Sequence, residues 1–147
     1  MIIKFFEINK INLNDNKFIL LYGKNEGLKN EIINRLIKTK DIVVNYDENE
    51  ILENKNNFLE SILTKSLFEK EKIFIIKRAT DKIVKLFDNL DKENIEDIVI
   101  IINADNLEKK SKLRSFFEKS KKEICVAFYP DNNQTLLTMA SNFLRER

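Results

Sequence analysis

The first candidate site in the sequence is the loop Gly23–Asn30, which separates a short apolar run from an amphipathic stretch. A phosphate-binding loop at this place would read Gly, four residues, Gly, Lys and then Ser or Thr. Counting from Gly23 puts Leu28 at the second glycine. Lys29 then matches the lysine, and Asn30 stands where the hydroxyl ligand of Mg²⁺ belongs. Since Leu28 brings a side chain to a place where backbone must approach phosphate, the loop has the position of a nucleotide site without its chemistry.

A second place where nucleotide chemistry could lie is the end of the apolar run Ile73–Ile76. A Walker B strand is followed by an aspartate that holds Mg²⁺, but here Lys77 and Arg78 follow. Cations cannot hold a magnesium ion. The two defects agree with a nucleotide-binding fold that has lost its nucleotide, and they agree equally well with a doubly wound domain that never bound one.

Other candidate groups favour structural roles. Asp47, Glu48 and Glu50 form an acidic cluster that we interpret as a solvated loop. Asp105 and Asn106 follow the strongest apolar run, where α/β folds place active sites, but both are common turn and cap residues. The single cysteine, Cys125, lies among apolar residues and is expected in the core. Because histidine is absent, a His/Cys zinc site and a histidine-based triad are excluded, and no metal or catalytic residue is predicted.

The elements that must position these groups alternate between short apolar runs and amphipathic stretches, which predicts an α/β fold with a parallel sheet covered on both faces. Five buried strands are expected, and Met1–Lys17 is ambiguous between strand and short helix. Helices are expected over Leu28–Lys40, around Phe58 to Leu67, and after Thr80, which can cap the third. Further helices are expected through Leu113, Phe116 and Phe117, whose spacing points them at the core, and over the last residues of the chain. The strands are expected at the following runs: Phe18–Tyr22, Asp41–Val44, Ile73–Ile76, Ile98–Ile102 and Ile124–Phe128.

Length, composition and charge limit the classes of protein to which this chain can belong. A chain of 147 residues with 43% hydrophobic residues suits one domain, residues 1–147. The net charge of the whole chain is only +2, which by itself indicates no polyanion partner. Charge is unevenly distributed, however, and Glu108–Lys122 holds seven basic and two acidic residues. Asp41–Glu60, in contrast, holds six acidic residues and one basic residue. No apolar run could span a bilayer and no signal peptide is evident, so a cytoplasmic protein without a membrane partner is expected. The chain ends inside a predicted helix, which suggests a domain of a longer protein.

Four ordered blocks of the sequence resemble the delta-subunit family of bacterial DNA polymerase III. They cover nearly the whole chain, and least clearly its first 17 residues. The blocks read FILLYGKNEGLKNEII from Phe18, SLFEKEKIFIIKRAT from Ser66, IVIIINADNLEKKSKLRSFF from Ile98, and CVAFYPDNNQTLLTMASNFLRE from Cys125.

This resemblance implies an AAA+ domain with a five-stranded parallel sheet and a degenerate nucleotide site, in agreement with the residues read above. It also implies a clamp-loader subunit that binds the beta sliding clamp and helps to open the ring for loading on primed DNA during replication. Its partners would be the gamma or tau and delta-prime subunits, with primed DNA contacted indirectly, and no cofactor is expected. The clamp contact matches Leu67-Phe68, with Ser66 beside them. The family's lid and collar domains are absent from this sequence, so the domain alone is expected to be a monomer.

Three functions therefore compete at the level of sequence. The first is the clamp-binding domain, which is not catalytic by itself although it belongs to a holoenzyme that is a DNA-directed DNA polymerase, a nucleotidyltransferase. The second is a P-loop ATPase with a divergent site, which would bind nucleotide with Mg²⁺. The third is a basic DNA-binding module on a helix from Lys109 to Lys122, with Lys109, Lys110 and Lys112 as possible assembly or DNA contacts.

Overall fold

The computed structural model describes residues 1–13, 16–37, 42–63, 72–89 and 98–128. In this part of the chain six strands and five α-helices follow one another, with two short 3-10 helices, Phe5–Lys10 and Asp81–Ile83. The strands are β1 (Ile2–Lys4), β2 (Phe18–Gly23), β3 (Ile42–Asp47), β4 (Lys72–Ala79), β5 (Ile98–Ala104) and β6 (Ile124–Phe128). The α-helices are α1 (Glu26–Leu36), α2 (Glu48–Glu53), α3 (Lys55–Leu63), α4 (Val84–Asn89) and α5 (Lys112–Lys119).

All strand pairs in the single sheet are parallel, and the strand order is β1-β6-β2-β5-β4-β3. β5 lies near the middle and is buried along its whole length, which explains why its sequence is a continuous apolar run rather than an alternating one. The α/β class and the parallel sheet are confirmed. The described sheet has six strands, so the expected count of five was wrong by one.

The sixth strand comes from the N-terminal segment whose sequence was ambiguous. Ile2–Lys4 forms β1 at the edge of the sheet beside β6, and Phe5–Lys10 then forms a 3-10 helix. The α-amino group of Met1 donates to the carbonyl oxygens of Phe117, Ser120 and Glu123 at 2.6–2.8 Å. The segment is thus both strand and helix, and its first residue contacts the turn between α5 and β6.

Two apolar clusters lie on opposite faces of the sheet, because successive residues of a strand point to opposite sides. On one face, Leu20, Ile76 and Ile102 pack with side chains of α2 to α5, including Leu113 and Phe117. On the other face, the apolar side chains of α1 and the N-terminal segment cover the alternate strand residues: Leu28, Ile32, Ile33 and Ile8 cover Ile19, Leu21, Ile75, Val99 and Ile101. The expected burial of both faces is confirmed among the described residues.

The helices differ from expectation mainly between β3 and β4. The sequence predicted no helix at Glu48–Glu53, but α2 lies there, begun by Asp47, whose carboxylate accepts from the Asn49 N–H at 3.2 Å. The helix expected over Leu28–Lys40 is present as α1, but it begins at Glu26 and ends at Leu36. Thr80 caps the 3-10 helix that leads into α4 by accepting from the Lys82 N–H, as expected. The expected C-terminal helix lies outside the described residues.

Strand register gathers the residues of interest at one edge. Tyr22 of β2 pairs with Ala104 of β5, and Lys77 of β4 pairs with Asn103. Since neighbouring strands lie about 4.8 Å apart, the ends of β2 and β4 lie about 10 Å from each other across β5. The loop after β2 and the end of β4 therefore face one another over a short gap.

Gly23 and Gly27, the two glycines of the chain, make a matched pair for a stability test. Gly23 has a φ of +124°, and a Cβ there would lie 1.8 Å from the carbonyl oxygen of Phe128 in β6. We expect Gly23→Ala to destabilise the fold by about 3 kcal/mol or more, because backbone atoms must move. Gly27→Ala has nothing within 4 Å and should stabilise α1 by about 0.5–1 kcal/mol. Urea unfolding of the two variants measures both; an equal response would contradict this packing of β2 against β6.

Candidate functional site

The loop after β2 is short, since β2 ends at Gly23 and α1 begins at Glu26. Asn25 caps α1, since its side-chain oxygen accepts from the Leu28 N–H at 3.1 Å. The N–H of Gly23 donates to the Asp105 carbonyl oxygen at 3.2 Å, which ties the start of the loop to the end of β5. Leu28 is buried in the apolar cluster beneath α1, so its side chain serves the core.

Lys29 occupies the position of a phosphate-binding lysine, but its side chain is fully buried. Its ammonium group donates to the carbonyl oxygen of Ala104 at 2.8 Å and to the carboxylate of Glu26 at 2.6 Å. Both partners belong to the protein, and a buried ammonium needs such partners because it has lost its water. In this structure Lys29 therefore braces α1 against β5 instead of facing a ligand.

The end of β4 carries cations where a Walker B acid would lie. Lys77 and Arg78 are both exposed. Arg78 has a φ of 56° and sits in a bulge, where the register with β5 shifts between Lys77 and Ala79. A non-glycine residue in this region is strained and persists only where its surroundings hold it, and here the Arg78 guanidinium pairs with Asp47.

A cleft of about 670 Å³ lies between the loop and β4. It mixes cations and carboxylates and therefore does not offer the uniformly positive surface that a polyphosphate requires. Within the described ranges there is no group of three or more histidine, cysteine, aspartate or glutamate side chains that could hold a metal ion. The residues that line the cleft are Glu26, Asn30, Lys77, Arg78, Ala79, Thr80, Asn103 and Asp105.

The interpretation of Asp47, Glu48 and Glu50 as a solvated loop was wrong, because Asp47 ends β3, and Glu50 lies in α2 together with Glu48. The Glu48 side chain is buried, and its carboxylate accepts from the N–H of Thr80 at 2.8 Å and from the Thr80 hydroxyl at 2.8 and 3.0 Å. Sequence reasoning missed this contact. A signal did exist: Asp47 followed three residues later by Glu50 is a capping-box pattern, which would have predicted the start of α2.

The basic segment is shorter as a helix than expected. α5 spans Lys112–Lys119, so Lys109 and Lys110 lie in the preceding turn rather than on the helix. Lys109, Lys110 and Lys112 are exposed, and Lys110 pairs with Glu108 at 3.4 Å. A second cavity of about 580 Å³ adjoins this turn and shares Ala79, Thr80 and Asp105 with the cleft.

The aromatic residues of α5 serve packing. Leu113 and Phe117 are buried and Phe116 is half-buried against the same cluster, which confirms that they point at the core. Phe117 is therefore not available to stack on bases. Cys125 is also buried, as expected, and burial raises the pKa of its thiol to about 12, so it is not a nucleophile at neutral pH.

The expected clamp contact, Ser66, Leu67 and Phe68, lies outside the described residues. α3 ends at Leu63 and β4 begins at Lys72, so the segment joins these two elements. The structure therefore brings together Gly23, Lys29, Asn30 and Lys77 at one edge of the sheet, and it leaves the Leu67-Phe68 contact as a prediction.

Lys29 and Lys24 allow a test of the bracing role. We expect Lys29→Met to lower the free energy of unfolding by about 1–3 kcal/mol, because it removes a buried donor from the Ala104 carbonyl. Lys24 lies in the loop before α1 and is exposed, so Lys24→Met should change stability by less than about 0.5 kcal/mol. Denaturant unfolding compares the two variants. Equal stability of the two would show that Lys29 is not a structural brace.

The hydrogen bonds of the Asp81 carboxylate predict how the stability of the fold changes at low pH. Ser111 donates to the Asp81 carboxylate at 2.6 Å, and this bond, helped by the N–H of Leu113, holds the pKa of Asp81 below its usual value of 3.8. The folded state therefore favours the carboxylate, so Asp81 stabilises the fold above its unfolded pKa and this stability is lost as pH falls through the folded pKa. Between about pH 5 and pH 2, the stability of Asp81→Asn and of Ser111→Ala should fall less steeply than that of the wild type. Curves parallel to the wild-type curve would contradict this assignment.

Among the described residues, no helix has both the length and the apolar character needed to cross a membrane. Comparison of the chain with protein-family models and with curated protein sequences gives no match in either case.

Proposed function

We propose that this chain is the N-terminal AAA+-type domain of a clamp-loader delta subunit, which binds the beta sliding clamp and helps to open the ring without hydrolysing ATP itself. The observation that carries the proposal is Lys29: the lysine of the nucleotide loop is buried and bound to Glu26 and the Ala104 carbonyl. Because this lysine is engaged inside the protein, it supports a role through surface contacts and without ATP hydrolysis.

The fold supports this assignment at the level of architecture. A parallel sheet covered on both faces, with a degenerate loop after one central strand and two cations at the end of another, is what the four resembling blocks imply. The gamma or tau and delta-prime subunits would then supply ATP hydrolysis, and primed DNA would be contacted through the assembly. Such a replication protein would work in the cytoplasm.

The proposed contact with the clamp is Leu67-Phe68, flanked by Ser66. Burial of two large apolar side chains in a pocket of the clamp contributes roughly 1.5–3 kcal/mol each, enough for a small hot spot. Opening of the ring requires more than binding. A contact of equal strength with the closed and the opened ring does not shift the equilibrium between these two states. The pair must therefore bind the distorted interface of the clamp better than the closed one.

The double substitution Leu67→Ala and Phe68→Ala tests this contact. It should weaken binding to the beta clamp by about a hundredfold or more, while the midpoint of thermal unfolding stays nearly unchanged. Surface plasmon resonance on immobilised clamp measures the affinity. Phe6→Ala is the matched control, since Phe6 is 37% exposed and lies beside the edge strand β1. Unaltered affinity of the double variant would refute the contact, and a large loss of stability would assign both residues to the core.

A DNA-binding module is the second candidate, favoured by the exposed Lys109, Lys110 and Lys112 beside the second cavity. Lysines contact phosphates as point charges and lack the bidentate geometry of arginine, so any DNA affinity should be independent of sequence. Changing all three to Glu should weaken DNA binding equally for every sequence tested by fluorescence anisotropy. A strong sequence preference of the wild-type domain would contradict this prediction.

A further inference from the structure

Asn103 is a buried polar residue near the end of the otherwise apolar strand β5, and it is only 5% exposed. Among the described residues its side-chain amide has no hydrogen-bond partner, yet no polar side-chain atom that is sealed from solvent there lacks one. The amide must therefore open onto the cleft that Asn103 lines. A buried amide is costly without a hydrogen bond, so this one is placed to be satisfied by a ligand.

Lys77 lies beside Asn103 on the same face of the sheet. The two residues are partners in the register of β4 and β5, and each comes two residues after a side chain of the cluster beneath α1, namely Ile75 and Ile101. Because residues two apart in a strand point to one side, Lys77 and Asn103 both point to the face that α1 covers, with their Cα atoms about 5 Å apart. Lys77 is exposed and forms no ion pair with any residue that the structure describes. A free ammonium group therefore adjoins the open amide.

Helix α1 contributes a second amide to the cleft. Glu26 and Asn30 are four residues apart, so they lie on one face of the helix, and both line the cleft. The Glu26 carboxylate is paired with Lys29. Asn30, in contrast, is exposed, and its amide has no partner in the described part of the chain.

The charges that line the cleft leave one cation and one anion without an ion pair within the described ranges. Of the two cations, Arg78 pairs with Asp47, so Lys77 remains. Of the two carboxylates, Asp105 remains, and one of its oxygens accepts from the N–H of Asn106 at 2.8 Å. A polyphosphate would be repelled by the carboxylates, whereas a ligand with one charge of each sign is attracted by both free groups.

We propose that the cleft between α1 and the ends of β4 and β5 binds a small zwitterion that contains peptide groups, as the backbone of a short peptide does. The ligand carboxylate contacts Lys77, and the ligand ammonium group contacts Asp105. Asn103 and Asn30 each bind a peptide group, because a carboxamide and a peptide group can both donate and accept. A cleft of about 670 Å³ has the size of a small-molecule site. This inference is independent of the clamp contact, since none of its residues belongs to that contact.

Triglycine is the probe, because it carries two peptide groups between an ammonium group and a carboxylate and has no side chains. N-acetyltriglycine lacks the ammonium group, and triglycinamide lacks the carboxylate. Each is titrated to tens of millimolar into the ¹⁵N-labelled full chain, and NMR follows the side-chain amide signals of Asn103 and Asn30. We expect saturable shifts with triglycine at a millimolar Kd, and an affinity about threefold lower for each of the other two probes.

Two variants assign the charged contacts. Lys77→Met should weaken triglycine binding about threefold and leave triglycinamide binding unchanged, since that probe has no carboxylate. Asp105→Asn keeps an oxygen for the Asn106 N–H, and it should weaken triglycine binding but not N-acetyltriglycine binding. Lys24→Met is the matched control, because Lys24 is exposed and does not line the cleft. It should bind all three probes as the wild type does.

Asn103→Leu separates ligand binding from a structural role of the amide. It should weaken triglycine binding about tenfold, measured on the Asn30 signal, because the ligand loses a buried hydrogen bond. The midpoint of urea unfolding should stay the same or rise, since no described residue loses a partner. A lowered midpoint would show that the amide serves the fold. That result, no saturable shift in the wild type, equal affinity for the three probes, or an equal loss of all probes in Lys77→Met would each overturn the proposal.

Discussion

The hydrogen bond from the Lys29 ammonium to the Ala104 carbonyl is the contact on which the edge of this sheet depends. It joins α1 to the end of β5 from a fully buried position, and the Glu26 carboxylate completes it. The N–H of Gly23 reaches the next carbonyl, that of Asp105, so the loop is held at both ends. Because the positive charge is satisfied inside the protein, the loop needs no phosphate to be ordered.

The inward position of the Lys29 ammonium group limits the chemistry that the neighbouring side chains can support. In a nucleotide site the lysine and the acid at the end of the partner strand would act on the same phosphate and metal ion. Here the lysine faces inward, and Lys77 and Arg78 stand where the acid would be, so the cleft between them is a surface of mixed charge. The end of β4 is instead held by Asp47 and Glu48, which connects this edge to α2 and α3.

The strands could be predicted well because parallel strands that are buried on both faces consist of continuous apolar runs, as in Ile98–Ile102. It did not predict β1 as a strand of the sheet, since Ile2–Lys4 is three residues long and its partner β6 lies more than a hundred residues away. α2 was missed because six residues cannot show a helical period, and the capping-box pattern of Asp47 and Glu50 that marks its start was not used. The loss of nucleotide chemistry could be inferred from Leu28, Asn30 and Lys77. The hydrogen-bond partner of the Lys29 ammonium group could not be inferred from the sequence. Spacing places a lysine in a loop, whereas its acceptor, a carbonyl 75 residues away, is set by tertiary packing.

The most direct test of this account observes the Lys29 ammonium itself. In a protein labelled with ¹⁵N-lysine, NMR spectra of the ammonium groups report hydrogen bonding and solvent exchange at each Nζ. We predict a Lys29 signal protected from exchange with water, unlike the exposed Lys24, that does not move when ATP and Mg²⁺ are added to millimolar concentration. A Lys29 signal that exchanges rapidly in the free protein would show that the ammonium is not held inside the protein, and one that shifts saturably with ATP would show that this lysine still serves a nucleotide. Either result would contradict the account.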